Sequence, residues 1–468
     1  MKMFNMTSET ILFVLVSYLI SCILAIIFPF GIIFLPFSIY IISPILSLRF
    51  AVISFTALVN NQYTLIGLAH KVDTYSFQIA YIAGFLFYFV VFVLFSKVLR
   101  PKLSKSLLFL IILFTISFIK SFPNFSRAAI IFFNVMGGFL SLFLILNSSL
   151  KKKGKYYLEI LLKDFFALTI IITFLSILVV IIDLPFNLWF LKFHAKYLDL
   201  YRGEHNNFLM NIANAYITSV GPIENWIRYT PLLNDPIRSA YWYLYILYFI
   251  YFYIRPNIQN LFPKLLMLFI SLSFLLVCLS KGALSLLVYT MLFAFLFKRG
   301  MYKISLLLFL VILLFSIVLS TVIKSSAAIH VMGLLLPFKQ NLDLRYFIGN
   351  KLALAGNMGR IPGESWIEAV ERGAESLVGT YMYSVGLVGV LLYLKIHWNT
   401  IKLKLKERKY PLAALLTGSL IITFLQEGHY NIMQVFPLLM VSLLLDFKRR
   451  SYESDYGIYK TPNTKIIC

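Results

Sequence analysis

Apolar residues fall in long unbroken runs, at about 9–27, 29–46, 50–67, 77–97, 105–120, 127–147, 164–183, 239–254, 261–279, 282–298, 304–323, 379–396, 410–426 and 432–446. A helix rises about 1.5 Å per residue, so roughly 20 such residues cross the hydrocarbon of a bilayer with every backbone N–H and C=O bonded within the segment. The pattern predicts an all-α polytopic membrane protein of about 14 transmembrane helices. The range is about 12 to 14, because the crowded runs before residue 68 and the short last run each allow one long tilted helix in place of two.

Two polar excursions interrupt the pattern, at 184–238 and 324–378. In the first, Trp189, Phe193, Tyr197 and Leu200 recur at helical spacing, which predicts a short helix lying in the membrane interface. In the second, Ser365 and Glu368 have capping-box spacing ahead of another short helix. Residues 1–447 therefore read as one integral membrane domain carrying both loops, and 448–468 as a polar tail.

Composition agrees: 60% of residues are hydrophobic, 13% are charged and mean hydropathy is +0.86, which excludes a soluble globular fold. The net charge of +23 does not point to nucleic acid, because Lys and Arg sit in short loops and at helix ends. With the N-terminus inside, 27 of the 42 Lys and Arg residues fall on one side, so the positive-inside rule puts both termini in the cytoplasm and both excursions outside. Lys2 alone precedes the first apolar run and no small-residue cleavage site follows, so that run is expected to be a retained helix. Cys22, Cys278 and Cys468 are too few and too scattered for a disulfide framework or a metal cluster.

The chemistry concentrates outside. Arg345 and Arg360 lie among Gly349, Gly356, Gly359 and Gly363; a guanidinium fits two phosphate oxygens and glycine lets backbone N–H groups approach an anion, so the pair reads as a pyrophosphate clamp. The same arginines would equally pair with lipid headgroups or nearby carboxylates. Glu364, Glu368, Glu371 and Glu375 would line one helical face if Gly373 does not interrupt it, as a cation site, a general base or a solvated face. Glu375 stands just before the re-entering helix, where low dielectric would raise its pKa toward a base's working range.

In the first excursion Arg202, Glu204, His205, Asn206 and Asn207 surround Gly203, donors and acceptors suited to sugar hydroxyls, with His205 either catalytic or structural. His429, beside Glu427 in a very short outer loop, has the same two readings. Lys281, in a Ser280-Lys281-Gly282 break, either snorkels or reaches a phosphate. No nucleotide-binding loop, no metal-spaced His/Cys cluster and no Gly-x-Ser-x-Gly turn occurs, so no cofactor and no metal is expected.

Several of these segments together resemble the bacterial O-antigen polymerases of the Wzy type and, more distantly, the O-antigen ligases. Ser280-Lys281-Gly282-Ala283-Leu284 is similar to that superfamily's Ser-Arg-Gly signature, with Lys in place of Arg. Arg345 and Gly356, ten residues between them, resemble the Arg-x10-Gly pattern of polymerase outer loops, which the first excursion here lacks. Glu375-Ser376 followed by Gly386-Leu387-Val388-Gly389 looks like the end of the ligase-like second loop, with Glu where ligases often place His. Arg202-Gly203 with Asn206-Asn207 is similar to the family's Arg, Gly and Asn segment.

The resemblance implies a glycosyltransferase at the periplasmic face of the inner membrane that joins undecaprenyl pyrophosphate-linked repeat units. Its implied partners are that lipid-linked oligosaccharide, membrane lipids and a chain-length regulator. Arg345 and Arg360 are then expected on pyrophosphate and Glu375 as base, supported by Arg202, His205 and Lys281. The alternatives are a ligase moving polymer to lipid A core and, in another class, a flippase; a flippase is expected to show short loops on both faces and charges lining a buried cavity.

Overall fold

The computed structural model describes residues 7–28, 31–70, 86, 93–96, 98–151, 153–183, 217–220, 223–227, 236–254, 261–278, 280–322, 326–359, 365–430 and 432–455. It is an all-α membrane fold. Four helices among the described residues are long and apolar enough to cross a membrane by length and composition, Ser8–Ile27, Gly154–Val179, Lys281–Lys298 and Leu377–Lys406, and eight further apolar helices have 10–17 residues.

The helices start where a side chain satisfies the free N–H groups of the first turn. Thr7, Ser104, Ser280 and Ser376 each accept from the backbone N–H three residues on. The run expected at 29–46 is instead cut into Gly31–Ile42 and Pro44–His70. Pro44 cannot donate back to the preceding turn but suits the first position of a new helix, and Ser43 accepts from Leu46 N–H at 3.4 Å. Ile432–Asp455 runs past residue 448, into the expected tail.

Pro236–Phe249 forms the centre of the bundle: from Ser239 to Phe249 no residue on any side of it is exposed, and Tyr241, Tyr243 and Tyr245 are among the largest fully buried side chains. Apolar residues on outer helices, such as Leu12, Phe109, Phe269, Leu307 and Phe315, are exposed instead. Apolar surface of that extent is what lipid covers. One buried ion pair ties three outer segments: Arg49 donates Nε and Nη2 to the Asp164 carboxylate at 2.7 and 2.9 Å, and its guanidinium lies 3.9 Å from the Phe13 ring centre. The fork-to-carboxylate geometry satisfies both groups together.

Basic segments gather at one end of the bundle. Leu99–Arg100 pairs antiparallel with Ser149–Leu150, Asn147 donates to Thr400 Oγ1 at 3.2 Å, and Lys404 and Lys409 share Asp446 and Glu407. At the other end, residues 117–121, 326–359, 365–376 and 424–430 meet one another. In the first polar excursion Ile217–Val220 pairs with Ile223–Ile227 as a hairpin, in a segment for which the sequence pattern predicts no element. Its β-branched residues flanking Gly221-Pro222 favour strand over helix. The helix expected near 189–200 lies outside the described residues.

Candidate functional site

The site is built on a broken helix. Leu377–Lys406 is interrupted at Gly386, whose φ of 69° and ψ of −175° stop the first segment at residue 385. The break frees the Tyr383 carbonyl, which accepts from Asn350 N–H at 2.8 Å, so the short helix Leu344–Ile348 and the turn after it fill the gap. Glycine is needed on both sides of this contact. A Cβ on Gly386 would lie 2.4 Å from the Phe347 carbonyl carbon, and one on Gly349, at φ 79°, would lie 2.1 Å from Ser384 O. Arg345, exposed on that short helix, is thereby held against the far end of segment 377–385.

At the near end, Gly373 at φ 87° and Glu375 at φ 74° lead into Ser376, which caps Gly379 N–H and donates to Phe424 O at 2.9 Å. A non-glycine residue in the left-handed region costs on the order of 1 kcal/mol or more and persists where neighbours hold it. Here Asn357 Nδ2 donates to Glu375 Oε1 at 3.2 Å, and His330 Nδ1 lies 3.2 Å from both Oε2 and the Glu375 carbonyl oxygen. The Glu375 side chain remains 25% exposed, and among the described residues no Lys or Arg pairs with it.

A second carboxyl stands behind the first. Glu427, 7% exposed in the turn Glu427–Tyr430, accepts from the Asn357 backbone N–H at 2.8 Å, so Asn357 binds one carboxyl by its main chain and the other by its side chain. Gly356, at φ 65°, leaves room for this: a Cβ there would be 1.9 Å from Glu427 Oε1 and 2.8 Å from Thr380 Oγ1. The turn is braced from below by Arg372, whose Nε donates to Leu354 O at 2.7 Å and whose carbonyl accepts from Gly356 N–H. Arg372 is therefore a structural arginine.

Lys281 opens helix Lys281–Lys298 with its side chain exposed. Gly282 is needed for closeness rather than for a turn: a Cβ on it would lie 2.4 Å from Gln426 Oε1 and 2.6 Å from the Tyr241 hydroxyl, which donates to that same Gln426 oxygen. His429 is fully buried, its ring 5.1 Å from that of Tyr241 and 5.0 Å from that of Tyr430, and neither ring nitrogen has a hydrogen-bond partner among the described residues. Burial pulls its pKa down to about 3, so the ring is neutral.

Glu375 meets Asn357, His330 and the Glu427 turn, while the turn that carries Arg345 packs at the other end of segment 377–385. Glu375 does not share a helical face with Glu368 and Glu371, because Trp366–Glu371 ends at Arg372 and Gly373 reverses the chain. Glu368 is spent on the capping box with Ser365, as its spacing implied. Among the described residues no group of His, Cys, Asp or Glu is placed to hold a metal. Arg202, Glu204, His205, Asn206, Asn207, Arg360 and Glu364 lie outside the described residues. Asn357 and His330 went unsingled in the sequence, and Glu427 was noted only as a neighbour of His429; the one signal for Glu427 was an acidic residue in a very short break between two apolar runs.

Burial pushes the Glu427 pKa up to about 8, the Asn357 N–H drawing it back and the Glu375 charge adding to the rise. Between about 4.5 and about 8 the folded chain therefore holds a proton that the unfolded chain has released. This contribution to stability is whole below that window, is lost as pH rises through it and is gone above. The melting temperature in detergent is expected to fall from pH 5 to pH 8.5, and Glu427→Gln, neutral throughout, to flatten the fall; an equal fall in the variant would assign it to other groups. Comparison with protein families, with characterised proteins and with solved structures found no match.

Proposed function

We propose that this chain is a membrane glycosyltransferase of the O-antigen polymerase type, with about 12 to 14 spans, both termini cytoplasmic and its site at the periplasmic face of the bacterial inner membrane. The observation that carries the reading is Glu375: a partly exposed carboxylate in a left-handed backbone conformation, held by Asn357 and His330 and, among the described residues, paired with no Lys or Arg. A carboxylate neutralised by a Lys or Arg salt bridge is a poor proton acceptor; one held through one contact on each oxygen, by an amide and an imidazole, keeps a lone pair on each for a substrate hydroxyl.

In this reaction the hydroxyl oxygen of one lipid-linked repeat attacks the anomeric carbon of the sugar on a second carrier. The bond from that carbon to pyrophosphate breaks, the hydroxyl proton passes to Glu375, and the electron pair departs on the lipid pyrophosphate. Arg345 and Arg360 meet the charge developing there, with Lys281 and Arg202 in support. His205 supports Glu375 as the second catalytic group, and Glu204, Asn206 and Asn207 bind sugar. The partners are the undecaprenyl pyrophosphate-linked oligosaccharide, membrane lipid and a chain-length regulator, and the chemistry calls for no cofactor.

Deleting the gene tests the assignment. The expected outcome is surface polysaccharide reduced to single repeat units on lipid A core, with Arg345→Ala giving the same pattern at normal protein level. Complete loss of repeat units on deletion would instead indicate ligation or flipping, and wild-type chain lengths in the Arg345 variant would remove the clamp.

A further inference from the structure

Lys120 follows the last residue of helix Lys105–Ile119, and its Nζ donates to Gly349 O at 3.0 Å. Gly349 N–H in turn donates to Arg345 O at 2.7 Å, so one turn carries Arg345 and anchors Lys120. Two more bonds dock this turn on the same helix end: Ser117 Oγ donates to Asn350 O at 2.6 Å and Ser121 Oγ accepts from Ala353 N–H at 3.0 Å. Burial and the Arg345 charge lower the Lys120 pKa, as for two cations set side by side.

Among the described residues neither cation has a carboxylate within ion-pair distance. The nearest acid in sequence, Asp343, caps Tyr346 N–H instead. An ammonium has three donors and Gly349 takes one, which leaves donors for a ligand held beside Arg345. Two like charges held together without a counter-charge are stabilised by a bound anion.

The surroundings say which anion. Phe109, Ile112, Ile116 and Ile119 are exposed along one face of the Lys105–Ile119 helix, and Leu344 is exposed beside Arg345. An apolar strip that ends on two unpaired cations matches a long apolar tail ending in phosphate.

We propose that Lys120 and Arg345 together bind the pyrophosphate of an isoprenoid lipid whose tail lies along the exposed face of Lys105–Ile119. The inference rests on the glycosyltransferase reading for Arg345 and adds a second cation and a path for the tail.

The test is binding of geranylgeranyl pyrophosphate to the full-length protein in nanodiscs, with inorganic pyrophosphate and phosphatidylglycerol as competitors. Loss of one charge-assisted hydrogen bond at a partly exposed site predicts about tenfold weaker binding in Lys120→Met and near-normal binding in Lys120→Arg. Ile112→Ser with Ile116→Ser is expected to weaken the lipid pyrophosphate while leaving inorganic pyrophosphate unchanged. Unaltered affinity in Lys120→Met, at an unchanged melting temperature, overturns the proposal. So does phosphatidylglycerol competing as well as the isoprenoid, which would make the pair a headgroup anchor. If Lys120→Met binds normally while gene deletion leaves single repeat units, this site alone fails. If binding falls as expected and deletion leaves polymer unchanged, the site stands and the polymerase reading fails.

Discussion

Glu375→Gln is expected to lower chain extension by about 100-fold or more, the ordinary weight of a positioned proton acceptor, while leaving the melting temperature nearly unchanged. Gln keeps the volume of Glu and still accepts from Asn357 Nδ2, so the contact that holds the left-handed turn survives. What it loses is the capacity to take a proton from the attacking hydroxyl. The measurement is incorporation of labelled repeat units into polymer by purified protein, across pH. Extension above a tenth of wild type would remove Glu375 as the acceptor. Glu427→Gln provides the contrast: its buried carboxyl binds the Asn357 main chain, and the variant is expected to extend chains near neutral pH while changing how stability varies with pH.

Gly386→Ala is expected to cost about 3 kcal/mol or more and to reduce the amount of folded protein, since strain at such a backbone conformation and overpacking each contribute on the order of 1–3 kcal/mol. Two effects coincide there. A φ of 69° with ψ near 180° is a region that glycine alone adopts readily, and the new methyl would meet the Phe347 carbonyl group at 2.4 Å. Gly300 separates them: its φ is 73° but nothing lies within 4 Å of the Cβ position, so Gly300→Ala carries only the backbone part, about 1 kcal/mol. Thermal unfolding in detergent compares the pair. Equal stability losses would mean that the helix break is not held by the packed 344–349 turn.

The two variants probe features that differ in how far the chain advertises them. The capping box at Ser365 and Glu368 is a local motif and formed at that spacing. Glycines 349, 356 and 386 were conspicuous in sequence, but their purpose was not: Gly356 makes room for a carboxyl 71 positions on, and Gly386 for a turn that precedes it by more than 30 residues. Lys120 drew no attention, because its partner carbonyl is 229 residues away. A shared face for the acidic series depended on a helix continuing through Gly373, and Gly373 and Glu375 in left-handed conformations interrupt it.

From its residues alone the chain determined its solvent and its class. Apolar runs of spanning length must bond their own backbone in lipid, which makes them helices. It also determined where chemistry was scarce, since charged side chains were held to the breaks between runs and to the ends of the runs. Tertiary structure decided which breaks share a neighbourhood: Asn357 between Glu375 and Glu427, Lys120 under the turn of Arg345, Gly282 against Gln426. Helical periodicity is set by residues three and four apart, whereas these pairings depend on which helix ends pack together, and no local pattern carries that information.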